Sequence, residues 1–73
     1  MNEGVVVKEV WVAYSTDEML ILGVGEDMEA AQEICQADAG PDDELAWRNR
    51  RTGLRGCESQ QWGYSVVPFE VMS

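Results

Sequence analysis

The stretch VWVAYSTDEMLILGVGEDMEAAQEI, residues 10–34, passes from a strand pattern to a helix pattern within one short run. That change decides the fold. Its first part closes a longer segment, GVVVKEVWVAYS (4–15), rich in the Val, Trp and Tyr that suit a pleated strand. Side chains alternate across a strand, so Val10, Val12 and Tyr14 share one face and Trp11 and Ala13 the other. Ser15-Thr16-Asp17-Glu18 is a polar turn, and MLILGV (19–24) is a second strand, so the two form an antiparallel hairpin. Gly25 and Glu26 break that strand. Asp27 then suits a helix N-cap, because its carboxylate accepts from the exposed backbone amides of the first turn.

From Met28 the period is helical. Met28, Ala31, Ile34, Cys35 and Ala39 fall on one arc, and Glu29, Glu33 and Gln36 on the other. Gly40-Pro41 ends the helix, with a left-handed glycine cap followed by a residue that cannot continue the turn. Beyond it, DDELAWRNRR (42–51) reads as a third strand around Leu45, Ala46 and Trp47. TGLRGCESQ (52–60) reads as a Gly-rich polar loop. The last segment, QWGYSVVPFEVM (61–72), alternates Trp62, Tyr64 and Val66 against Gly63, Ser65 and Val67, as a half-buried strand does. Pro68 has no backbone donor and belongs at a sheet edge or a bulge. The expected fold is α+β: a small antiparallel sheet in the order ββαββ, with one amphipathic helix packed on one face.

A chain of 73 residues makes a single compact domain, 1–73, since it is too short for a second core. Its hydrophobic fraction of 45% argues against disorder. There is no apolar run long enough for a membrane span, and MNEGVVVKEV lacks the basic start of a secretory signal. Cys35 and Cys57, without CxxC spacing, read as free thiols of a reducing cytoplasm. Cys35 lies on the apolar arc of the helix, and Cys57 in a loop near Arg55.

The residues VWVAYSTDEMLILGVGEDMEAAQEI and the closing WGYSVVPFEV (62–71) together resemble small phage-encoded proteins of ββαβ(β) type, frequent in actinobacteriophages. The resemblance spans residues 9–39 and 61–71. It implies the fold and a phage provenance, hence the host cytoplasm, and no particular activity. The present helix departs from the usual pattern by its Asp27 cap and its lack of lysine.

The chemistry is mostly exclusion. With no histidine, Ser-His-Asp and Cys-His nucleophile systems and imidazole-based zinc sites are ruled out. Two cysteines cannot form a four-thiolate zinc site. Gly23-Val24-Gly25 before a helix resembles a phosphate loop only superficially, since Glu26 and Asp27 would repel phosphate. The acids 42–44 lack the alternating oxygen ligands of a calcium loop. No catalytic, cofactor or metal site is expected.

Charge is the strongest signal. Residues 1–47 hold twelve carboxylates against Lys8 alone, whereas residues 48–73 hold four arginines against two glutamates. The net charge of −9 disfavours direct binding to nucleic acid, which draws affinity from clustered cations. Asp27 is accounted for as a cap and Glu29 by its place near the helix N-terminus. A solvated polar face is the simple reading of the remainder. The functional reading is a protein partner, of host or phage, engaged by Asp17, Glu18, Glu26, Glu29, Glu33, Asp42, Asp43 and Glu44, with Trp47 as an exposed aromatic anchor. Two alternatives follow. Glu29 and Glu33, one turn or about 6 Å apart, approach the phosphate spacing of DNA, as in an inhibitor that mimics DNA before a nuclease or restriction-type enzyme. VVVKEVWV (5–12), if left as an open edge, would instead pair with a second copy as a homodimer.

Overall fold

The computed structural model describes residues 7–50, 55–60 and 63–72, and the side chains of all of these except Val7 and Met72. The chain forms β1 (Val7–Ser15), β2 (Leu20–Gly25), α1 (Met28–Ala39), β3 (Trp47–Asn49), β4 (Cys57–Ser59) and β5 (Tyr64–Met72). All pairings are antiparallel, and the sheet runs β2-β1-β5-β4-β3. The α+β class stands as expected. The strand count does not: the order is ββαβββ, because Cys57–Ser59 is a strand inside the segment read as a loop. Three residues are too few to show a period, and β4 exists through its pairing with Asn49 in β3 and Val66 in β5. The third strand begins at Trp47, two residues later than its apolar centre suggested, and Leu45 is buried just before it.

The helix follows its end signals. The Asp27 carboxylate accepts from the Ala30 amide at 2.8 Å, and the Gly40 amide donates to the Gln36 carbonyl at 3.0 Å. Gly40 has φ 98° and ψ 167°, a region reserved for glycine though not the left-handed helical cap expected. Ala31 and Cys35 are fully buried and Ile34 and Ala39 partly so. Met28, placed on the same arc, is 40% exposed.

What brings the helix close to the sheet is glycine. A Cβ at Gly25 would stand 2.7 Å from the Ala31 backbone nitrogen, and one at Gly23 would stand 3.1 Å from Ile34 Cδ1. The GVG motif therefore serves close helix-on-strand packing. Between Ala13 and Tyr14 the β1–β2 register shifts by one residue and leaves Leu22 as a bulge. That extra residue keeps Leu20, Leu22 and Gly23 on the helix side and sends Ile21 and Val24 to the opposite face.

β1 and β5 pair without interruption from Val7↔Met72 to Ser15↔Tyr64. β1 is interior over Trp11–Ser15, flanked by β2 and β5, which corrects the idea of a wholly open edge; only Val7–Val10 lies beyond the end of β2. Pro68 sits within β5 opposite Trp11, past the end of the β4 ladder, where no described strand pairs with that flank of β5. The expectations for Trp62 and for Val5 and Val6 fall outside the described residues.

Candidate functional site

The sheet has two unlike faces. Trp11, Ala13, Tyr64 and Val66 face the helix and join Ala31, Cys35, Leu45 and Cys57 in the core cluster. Val10, Val12 and Tyr14 of β1 look the other way, as do Val67, Phe69 and Val71 of β5 and Ile21 and Val24 of β2. No described element covers this second face. Ile21 is 68% exposed, Val24 57%, Phe69 55% and Val71 45%, while Val67 at the centre sinks to 7%. An open groove of about 710 Å³ runs over Val12, Val67 and Tyr14 between Ile21 and Phe69, with Arg50 and Arg55 at its margin.

The charges of the open face lie toward its margins. The carboxylate of Glu58 in β4 is held by Arg48 in β3, at 2.8 Å. Arg50, Arg55 and Glu70 line the rim of the groove, and Arg55 also bonds Glu9 at 2.7 Å and stands 5.9 Å from the Trp11 ring centroid. The Glu9 carboxyl is held below its usual range chiefly by that hydrogen bond to Arg55.

The acids form the opposite surface. Asp17 and Glu18 are exposed in the β1–β2 turn, where the Glu18 amide donates to Ser15 Oγ at 3.2 Å. Glu26, Glu29 and Glu33 are exposed along the helix entrance and its outer side, and Asp42, Asp43 and Glu44 in the segment after it. Asp27 and Asp38 are exposed too, so all eight carboxylates of residues 25–44 face solvent.

Trp47, expected as an exposed anchor, is instead half-buried, because its ring leans on the core cluster. Cys57, expected in a loop, is buried in β4 and accepts from Gln32 Nε2 at 3.1 Å. Burial pushes its thiol up, and pushes Cys35 up to about 11, with Cys57 and Asp38 adding to the shift at Cys35. Tyr64 donates to Asp38 Oδ2 at 2.7 Å, and that bond is the main reason its hydroxyl rises to about 12. These thiols and this phenol are held neutral at physiological pH, unsuited to nucleophilic attack.

Gln36 has more to do than cover the wet side of the helix. Its Nε2 donates to the Gly40 carbonyl at 3.0 Å and the Asp43 carbonyl at 2.7 Å, and its Oε1 accepts from the Leu45 amide at 2.9 Å. One side chain thus fixes the acidic segment 40–45 against the helix end. Periodicity gave no sign of it; a long amide near a Gly-Pro helix stop was the available clue. Among the described residues, no three Cys, Asp or Glu side chains come together as a metal cage. No described helix is long and apolar enough to cross a membrane. Set against protein-family models, curated proteins and solved structures, the chain matches none.

Proposed function

We propose that this chain is a non-enzymatic protein-binding module, acting in the cytoplasm of a phage host by pressing its acidic side against a basic surface on a host or phage protein. One observation carries the reading. All eight carboxylates of residues 25–44 are exposed to solvent. An exposed row of acids projects a field that steers a basic partner. Gln36 supports the same reading, because it ties Asp42 and Asp43 to the helix that bears Glu29 and Glu33. A DNA-handling enzyme is the sharper form of the partner, favoured by the exposed pair Glu29 and Glu33 one turn apart.

The test is capture of partners from the host by the tagged chain, beside a Glu29→Gln/Glu33→Gln/Asp43→Asn variant, at about 50 mM and 500 mM salt. The expected result is a basic protein retained by the wild type at low salt and released by salt, and absent from the variant. Displacement of that protein by duplex DNA identifies the mimic. Retention that neither salt nor the variant changes ends the acidic-surface reading.

A further inference from the structure

From the free edge of the sheet we infer that β2 is a strand-addition site, where a partner lays an extended segment with an apolar middle and a basic residue at each end. This deepens the function proposed above by naming the form in which a basic partner is held, and it rests on that reading for the sign of the charge.

A strand at the side of a sheet points alternate amides and carbonyls outward, and proteins blunt such edges with short strands, charges or proline. β2 ends the order β2-β1-β5-β4-β3, and no described strand lies beyond it. At the opposite end, β3 is three residues long and carries Arg48. Residues 7–10 of β1, past the end of β2, include Lys8 and Glu9. Residues 67–72 of β5, past the end of β4, include Pro68 and Glu70. β2 has none of these protections: its six residues, LILGVG, hold neither a charge nor a proline.

Exposed apolar bulk gathers at the same strand. β2 and its two ends bring Met19, Leu20, Ile21, Val24 and Met28 to the surface, from 40% exposed at Met28 to 86% at Met19. Ile21 and Val24 look to the open face and Leu20 to the helix side, so apolar surface lines both sides of the edge. A strand added about 4.8 Å away would reach both with its alternating side chains. Main-chain bonds then supply affinity, and the side chains supply choice.

Charge selects the occupant. The chain holds no lysine or arginine from residue 9 to residue 47. Glu18 at the head of β2 and Glu26 at its tail are exposed. Beside them, Asp17 leans on Gly63 and Asp27 holds the helix cap, while Glu29 and Glu33 lie further out on the helix. Lys8, in β1, lies past the last β1–β2 pair, Trp11↔Gly25. A second copy is the wrong occupant. Laid antiparallel on β2, the Glu26 of each copy would stand near the Glu18 of the other; laid parallel, each acid would face its own kind. Lysine or arginine at both ends of an apolar segment meets the same acids with the opposite sign.

Synthetic peptides test this on the full chain. The probe, acetylated and amidated, alternates Val and Thr between two terminal lysines over about seven residues, the length of an ordinary strand. Its controls carry glutamate at both ends, or proline at the centre. Binding is followed by amide chemical shifts and by hydrogen exchange of the protein. The expected result is slowed exchange at alternate β2 amides with the Lys-ended peptide, and binding about tenfold weaker or worse with either control. Val24→Lys and, separately, Ile21→Lys should each weaken binding by about tenfold or more, and far-UV circular dichroism reports whether each variant keeps its fold. The Glu29→Gln/Glu33→Gln/Asp43→Asn variant should bind the peptide as the wild type does, so failure of the acidic-surface reading and failure of the edge are told apart. No binding of the Lys-ended peptide at about 1 mM overturns the inference. So does binding that spares the β2 amides or survives both lysine substitutions in folded protein. Protection of those amides without peptide, rising with protein concentration, would give the edge to a second copy and overturn it as well.

Discussion

Under the helix, Ala13, Ala31 and Cys35 are fully buried beside Gly23 and Gly25; across the sheet, Ile21, Val24, Phe69 and Val71 stand in water. Where α1 meets the sheet most closely, the covered face is built from small residues, with Trp11 and Tyr64 packed around them. Small side chains let α1 approach β2 until a single added methyl would strike the helix backbone. Close approach is therefore confined to the face that meets the helix, while the other face stands in water. The contrast shows that apolar content alone does not say which side of a sheet a helix will choose. Room for approach does.

The strongest test of that contrast is Gly25→Val. Its Cβ would meet the Ala31 nitrogen at 2.7 Å and Ala30 Cβ at 2.9 Å, so α1 must lift. A loss of about 3 kcal/mol or more in urea unfolding is expected, at the upper end of overpacking effects. A variant as stable as the wild type would break the account of the covered face. Next comes a matched pair of truncations. Val66→Ala, at a fully buried site, should cost about 2 kcal/mol. Phe69→Ala, at an exposed site, should stay within about 0.5 kcal/mol despite removing the larger side chain. Equal losses would erase the distinction between the faces.

Gln36→Ala sharpens the picture at the helix end. Three hydrogen bonds disappear, for an expected cost of about 1–2 kcal/mol. Hydrogen exchange at the Leu45 amide should quicken more than at Val66, because only the former loses its acceptor. The smallest effect at neutral pH belongs to Cys35. Its folded pKa lies above the ordinary value of 9.0, at about 11, so the protonated thiol is favoured by folding. Stability from this group is complete below pH 9 and falls as the pH rises from 9 through 11. Cys35→Ala should flatten that part of the stability profile, and thiol labelling of the folded wild type should be slow at pH 8.

How much of this was legible depends on whether the signal was local. Asp27 and Gly40 mark the helix limits because capping uses atoms within a few residues. β4 was not legible: Cys57–Ser59 lies among glycines and polar residues, and it becomes a strand only through its pairing with β3 and β5. The Leu22 bulge was hidden for a similar reason, since register is a property of two strands. For β1 both faces are apolar, with Val10, Val12 and Tyr14 against Trp11 and Ala13, so alternation could not choose the covered one. Gly23 and Gly25 held the missing information. Eight exposed acids could be read directly, because a charge run needs no partner to be seen. Trp47 could not, since its half-burial depends on the core it leans against.

The uninterrupted β1–β5 ladder has a practical consequence. Val7 stands across from Met72, so the outer ends of the two strands meet at one corner of the sheet. A short linker there, with a new opening cut in the 16–19 turn, would give a circular permutant that keeps every rung of that ladder.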